Sequence, residues 1–179
     1  MKLHYFDVGA RGESIRMMLT HAKADWEDVR SYTRETMKAK SFELGGNGQG
    51  PMLEIDGKAF NQSVCTLRML AIKLGYMPED PMAAYDADRA VSTVEEMLGP
   101  HFFFPFMKEG HDEEVQAKAL AMQGNVLKQL SEQLGDKKYF GGGDKASYGD
   151  WHVYAWLCSI SMNPKPNQKQ VQMYAACAK

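Results

Sequence analysis

The sequence predicts an α/β unit in the order β-α-β-α-β-β-α followed by an all-helical unit. Three observations carry that prediction. Residues 1–75 alternate short strand-like runs with runs of helical period. The next segment, 76–81, holds two prolines and an acidic pair and reads as a linker. Residues 82–179 then place their apolar side chains at helical spacing.

Residues 2–6 read as a strand, with Leu3 and Tyr5 on one face and His4 and Phe6 on the other. A loop, 7–10, leads into a helix over 11–23 whose buried stripe is Ile15, Met18, Leu19 and Ala22. Residues 26–32 read as a second strand, and 33–44 as a polar helix or loose turn. The glycine-rich loop 45–50 precedes Pro51. Proline cannot donate to a sheet ladder, so Pro51 suits the first residue of a strand. The strand turns at Asp56-Gly57 and a second short strand enters a helix over 64–74, with Ser63 as its expected N-cap. A strand, crossover helix and strand implies a right-handed parallel pair. The closing hairpin then makes the sheet mixed.

Past the linker a helix is expected over 82–97, continuing past Gly99-Pro100 only with a kink. Phe102, Phe103, Phe104 and Phe106 form a dense aromatic patch. A long helix over 112–134 should bury Val115, Ala119, Met122, Val126, Leu127 and Leu130. Ser147 and Asp150 have capping-box spacing, with Asp replacing the usual Glu. They open a nearly all-apolar helix, 151–160, expected at the centre of a helical core. Pro164 and Pro166 end it, and a last helix is expected over 168–178.

Composition excludes several function classes. Hydrophobic residues make up 44% and charged residues 25% of the 179, an ordinary globular balance. A net charge of −2 gives no electrostatic case for nucleic acid or an anionic membrane. No run approaches the roughly 18 apolar residues of a membrane span. The N-terminus lacks a signal-peptide pattern, and Cys65, Cys158 and Cys177 form neither a disulfide framework nor a zinc pattern, so a reducing cytoplasm is the expected compartment. The five histidines are scattered and predict no metal site. There is no G-x-S-x-G elbow, dinucleotide fingerprint or Walker loop. Disulfide exchange would want Cys-x-x-Cys after the first strand, where Asp7-Val8-Gly9-Ala10 stands.

The chemistry that remains is ligand holding. A Gly50-Pro51 bond at a strand start is a candidate cis bond, which would turn the Gly50 backbone outward. A few residues on, the N-terminus of the 64–74 helix offers free N–H groups to a carboxylate. A backbone edge beside an anion pocket suits a small extended ligand with peptide bonds and a free carboxylate, although a hairpin leading into a capped helix explains the same spacing. Tyr5 lies near the C-terminal end of the first strand, where open α/β sheets present ligand sites. By spacing alone it reads first as a half-buried strand tyrosine.

Taken together these residues resemble the cytosolic glutathione transferases, closest to the sigma class, along the whole chain. Leu3-His4-Tyr5-Phe6 looks like that family's first strand with its catalytic tyrosine, and Arg11-Gly12-Glu13-Ser14-Ile15-Arg16 like the start of its first helix. Gly50-Pro51-Met52-Leu53 is similar to its cis-proline segment, and Gln62-Ser63 to the pair that holds the γ-glutamyl carboxylate. Residues 143–150 are similar to its G-x-x-x-[ST]-x-x-D folding motif.

The resemblance implies a thioredoxin-like domain over 1–75, a linker over 76–81 and a helical domain over 82–179 that supplies the electrophile site and dimer contacts. It implies conjugation of glutathione, as co-substrate and without a further cofactor, to small hydrophobic electrophiles. Tyr5 would activate the thiol with help from Arg11. Gln49, Gly50, Pro51, Gln62 and Ser63 would hold the tripeptide, and Lys38 or Lys40 its glycyl carboxylate. Glu96 of a second copy would meet the γ-glutamyl amine in a homodimer. Val8, Phe102, Phe103 and Phe104, with Met107, would line the electrophile side, whereas Trp151 reads as core.

Two departures stand out. The tryptophan that usually accompanies the glycyl-binding lysine is missing from 37–42. The chain also ends at Lys179, about where the family continues with a helix or tail. That implies a more open electrophile site or a sequence that is part of a longer product. Two alternatives follow from the same resemblance: a glutathione-dependent isomerase similar to prostaglandin D synthase, with Ser92, Glu95 and Glu96 in place of its acidic cluster, and a non-catalytic relative similar to the S-type lens crystallins.

Overall fold

The computed structural model describes residues 1–98 and 113–161. Expectations for the Gly99-Pro100 kink, Phe102, Phe103, Phe104, Phe106, Met107 and the last helix lie outside the described residues. The chain divides into two compact units, Met1–Met77 and Pro78–Lys179.

The first unit runs β1 (Lys2–His4), α1 (Ala10–His21), β2 (Glu27–Val29), α2 (Arg34–Glu43), β3 (Met52–Ile55), β4 (Lys58–Phe60) and α3 (Ser63–Leu74). The sheet order is β2-β1-β3-β4, with β1 and β2 parallel and the other pairs antiparallel. This is the mixed sheet and element order that the sequence predicts. The hairpin turn works because Asp56 and Gly57 both take positive φ, 50° and 74°, as a two-residue turn with right-handed strand twist requires. Leu3 and Leu53 are fully buried, with Ile15, Met18 and Leu19 of α1 and Leu67, Leu70 and Ala71 of α3. His4 and Glu54 alternate to the other face, where His4 Nε2 meets Glu54 Oε2 at 2.8 Å and His4 Nδ1 meets the Tyr32 hydroxyl at 2.7 Å.

Several boundaries differ from the sequence reading. β1 stops at His4, although the Tyr5 N–H still donates to the Val29 carbonyl at 3.0 Å. β2 is three residues, not seven, because the chain turns after it, with Tyr32 N–H bonded to the Arg30 carbonyl. Residues 33–44, expected as a polar helix or loose turn, contain a helix, α2. It is closed by a Thr33/Thr36 capping box, in which threonine occupies the position normally held by Glu or Gln.

The second unit contains α4 (Pro81–Glu95), α5 (Glu113–Leu134) and α6 (Tyr148–Ser161). α4 starts one residue before the expected position because the Asp80 carboxylate accepts the Met82 and Ala83 N–H groups and Pro81 fits the first helical turn. Ala90, Val94, Met97, Val126, Leu130, Phe140, Val153 and Trp156 form the core, so the apolar helix expected at the centre is there. On α5, Ala119, Val126 and Leu130 are buried and Met122 and Leu127 half-buried, while Gln123 is buried where the apolar pattern predicts no core residue. α6 extends three residues earlier than expected and approaches α4 closely at Gly149, where a Cβ would lie 2.8 Å from the Ala87 carbonyl oxygen. The Asp150 carboxylate accepts the Ser147 N–H at 2.8 Å, the Ser147 hydroxyl at 2.7 Å and the Phe140 N–H at 3.0 Å.

Candidate functional site

Tyr5 follows directly on β1, and its ring is held edge to edge between two glycines. A Cβ on Gly12, in the first turn of α1, would lie 2.6 Å from Tyr5 Cδ1; one on Gly50 would lie 3.2 Å from Cδ2. The ring is 6% exposed. Burial pushes its phenol above the ordinary tyrosine range, opposed by the Arg11 charge, a hydrogen bond from the Arg11 backbone N–H and the Arg16 charge. A phenol so placed stays protonated at neutral pH and is a hydrogen-bond donor, not a base. Its oxygen already accepts from Arg11 N–H, which leaves the O–H proton to point elsewhere.

Arg16 emerges as an organising residue only in the structure. Its guanidinium is 4% exposed and lies 5.8 Å from the Tyr5 ring centroid. It donates to the Val8 carbonyl at 2.6 Å and the Phe6 carbonyl at 3.2 Å, and pairs with Asp28 and Glu13, each at 3.1 Å. One buried cation thus fixes the turn between Tyr5 and α1 from below. The available signal was a charged residue inside an apolar helical pattern, beside Ile15 and Met18. Val8, on the same turn, is 49% exposed.

The Gly50-Pro51 bond is cis. The loop before it is held by buried Ser41 and half-buried Asn61. Ser41 Oγ accepts the Gly48 N–H at 3.0 Å, Asn61 Oδ1 accepts the Asn47 N–H at 3.1 Å, and Asn61 Nδ2 donates to the Gln49 carbonyl at 2.7 Å. Gln49 N–H donates to Asn47 Oδ1 at 3.1 Å. Both main-chain groups of Gln49 therefore have partners, the N–H within the loop and the carbonyl at Asn61.

At α3 the expected cap is corrected. Ser63 is the first helical residue, and the residue before the helix is Gln62, at φ 68° and ψ 96°, with no side-chain cap bond. Serine is a good cap by propensity, but the positive φ of Gln62 turns the chain into the helix one residue sooner. The first turn of α3 contains no acidic residue of its own to complement its N–H groups and dipole.

The two lysines separate. Lys38 lies beside the glycine loop: its Cγ would be 3.3 Å from a Cβ on Gly48, and its ammonium sits 6.0 Å from the Phe42 ring centroid. Lys40 pairs with Glu43 at 2.8 Å and feels the charge of Glu54, which puts it with the His4 face of the sheet. In the second unit Glu96 is the exposed residue that ends α4, and Glu95 meets the buried His152 at 3.2 Å. Trp151 is half-buried. Among the described residues no group of three or more His, Cys, Asp or Glu side chains could hold a metal ion, and no helix is long and apolar enough to cross a membrane.

A thioredoxin-like α/β unit followed by a helical unit, with a strand-end tyrosine beside a cis-proline, defines a class of thiol-handling folds. The family model described as "Glutathione S-transferase, C-terminal domain" matches residues 64–170. The chain is 30% identical over 167 residues to the hematopoietic prostaglandin D synthase of Gallus gallus, covering 90% of this chain and 78% of that protein. It is 38% identical over 95 residues to a glutathione S-transferase of Anopheles gambiae, covering 53% of this chain and 46% of that one. Among solved structures, a prostaglandin D synthase of Nilaparvata lugens shares the fold at TM-score 0.81 and 23% identity, over 99% of this chain and 88% of that chain. This chain belongs to the glutathione S-transferase family, with sigma-like relatives, and is an enzyme of that family.

Proposed function

We propose that the protein conjugates the glutathione thiolate to small hydrophobic electrophiles, with Tyr5 as the activating donor. The observation that carries this is the buried, protonated Tyr5 phenol with the Arg11 N–H on its oxygen, beside the Gly50-Pro51 backbone. A free thiol has a pKa near 8.5, so about 3% is thiolate at pH 7. A donor that favours the charged form lowers that value, and a drop of about two units raises the thiolate to about three quarters. Arg11, half-buried and close enough to Tyr5 to act on its charge, adds to the positive field at the thiolate.

Gln62, Ser63 and the open first turn of α3 take the γ-glutamyl carboxylate. The cysteinyl backbone pairs with Gly50 ahead of Pro51, since the Gln49 main chain is engaged by Asn47 and Asn61. Lys38, on the loop side, takes the glycyl carboxylate in preference to Lys40. In this reading residues 1–75 bind glutathione, Val8, Phe102, Phe103 and Phe104 are the residues assigned to the electrophile, and a homodimer brings Glu96 to a second copy's γ-glutamyl amine. The test is conjugation of glutathione to a generic aryl halide by the parent and Tyr5→Phe. Loss of about tenfold or more in kcat at pH 7, with glutathione still bound, supports it, by the same thiolate arithmetic. Equal turnover by both removes Tyr5 from the chemistry.

The chicken relative favours a second reading, a glutathione-dependent isomerase of prostaglandin-like substrates. Glutathione binding without aryl-halide turnover, together with isomerisation of an endoperoxide, would select it.

A further inference from the structure

We propose that Asn61 is a positioning residue that sets the spacing between the two halves of the glutathione site; this rests on the reading above. The two halves come from different segments. Gly50 and Pro51 end the α2–β3 loop, whereas Gln62 and Ser63 open α3. Asn61 immediately precedes the second segment, and its amide reaches the first, donating to the Gln49 carbonyl at 2.7 Å while accepting from Asn47 N–H at 3.1 Å. The platform under it is fixed, because the Thr66 hydroxyl on α3 bonds to the Asn61 carbonyl at 3.2 Å and the Phe60 carbonyl at 3.3 Å. A second contact, Asn61 Nδ2 to Ser41 Oγ at 3.4 Å, joins the same amide to the buried serine that holds Gly48.

The side chain thus uses donor and acceptor together to fasten one ligand-holding backbone to the other. A tripeptide that must meet both at once binds best when their separation is preset. Without the amide, each segment keeps its own fold, yet the ligand must fix their spacing as it binds.

Asn61→Asp separates the two functions of the amide. It retains an acceptor for Asn47 N–H, but has no N–H for the Gln49 carbonyl and sets oxygen against oxygen. Steady-state kinetics with glutathione varied, and equilibrium titration with glutathione alone, are the readouts. The expected result is a KM and Kd for glutathione several-fold to about tenfold higher than the parent, with a smaller fall in kcat, the scale of one lost hydrogen bond. A purely structural role would lower the folded fraction, and hence kcat, and leave KM in place. Gly46→Ala attacks the same network from the other side, since a Cβ there collides with Asn61 Oδ1 and Ser41 Oγ, and it should raise KM in the same direction. It also serves if Asn61→Asp fails to fold. Variants that fold and bind glutathione within about twofold of a binding parent overturn the proposal and leave the transferase reading intact, since one lost hydrogen bond predicts more. A parent that does not bind glutathione overturns both.

Discussion

Five of the described helices begin in two different ways. α2, α4 and α6 have their first turns fastened by neighbouring side chains: Thr33 with Thr36, Asp80, and Asp150 with Ser147. α1 and α3 have no side-chain cap. They also begin beside two of the few non-glycine residues at positive φ, Ala10 at 40° and Gln62 at 68°. The self-capped helices build the scaffold. The two uncapped ones carry Arg11, Gln62 and Ser63, the residues proposed to face glutathione. An uncapped first turn retains donors for groups outside its own helix, and α1 already directs one of them, Arg11 N–H, at the Tyr5 oxygen. Strain at such positions survives only where surrounding structure holds it.

The largest effect should come from breaking a self-capped start. Asp150→Ala removes the acceptor of the Ser147 N–H, the Ser147 hydroxyl and the Phe140 N–H at once. It should cost about 2–4 kcal/mol of unfolding free energy, from a lost cap plus stranded buried donors. Urea denaturation reads this directly. A loss below about 1 kcal/mol would mean that the carboxylate is replaceable by water and that this start is less self-sufficient than the hydrogen bonds imply.

Gly12→Ala acts on an uncapped start and comes next. The new Cβ meets Tyr5 Cδ1 at 2.6 Å, and the ring cannot slide away because Gly50 is packed against its other edge. Overpacking of this kind costs about 1–3 kcal/mol. The comparison predicts more than lost stability here. The displaced phenol should lower kcat for aryl-halide conjugation beyond what the folded fraction accounts for. A variant with reduced stability and parental kcat per folded molecule would show that the ring's exact seat is irrelevant to turnover.

The contrast between helix starts also explains what was legible in the sequence. Period-two and helical patterns, the Asp56-Gly57 turn and Pro51 sufficed for the order of the first unit, because each is a local signal with a local cause. The Ser147/Asp150 spacing was readable for the same reason. Ser63 was misplaced as the cap because cap propensity describes ordinary helix starts, and Gln62 adopts a backbone conformation that no local preference predicts. Arg16 and Asn61 were missed as organisers because their partners lie across the fold: Asp28 and the Val8 carbonyl for one, Gln49 and Asn47 for the other. Lys38 and Lys40 are indistinguishable in a polar run and separate only once α2 sets which side each one takes.

The smallest expected effect has the opposite sign and tests the contrast most sharply. Glycine adopts positive φ without a Cβ penalty, so Ala10→Gly and Gln62→Gly should relieve strain at both uncapped starts. Against the extra entropy of the unfolded chain, the net gain should be at most about 1 kcal/mol, read as a higher urea midpoint. The two variants should then diverge. Ala10→Gly leaves Arg11 and its N–H in the chain, whereas Gln62→Gly deletes the side chain proposed to hold the γ-glutamyl carboxylate. A more stable Gln62→Gly protein with weakened glutathione affinity would show stability given up locally for binding. A Gln62→Gly protein that is less stable than the parent would mean that the glutamine side chain supports the fold, and that the uncapped start of α3 is structural after all.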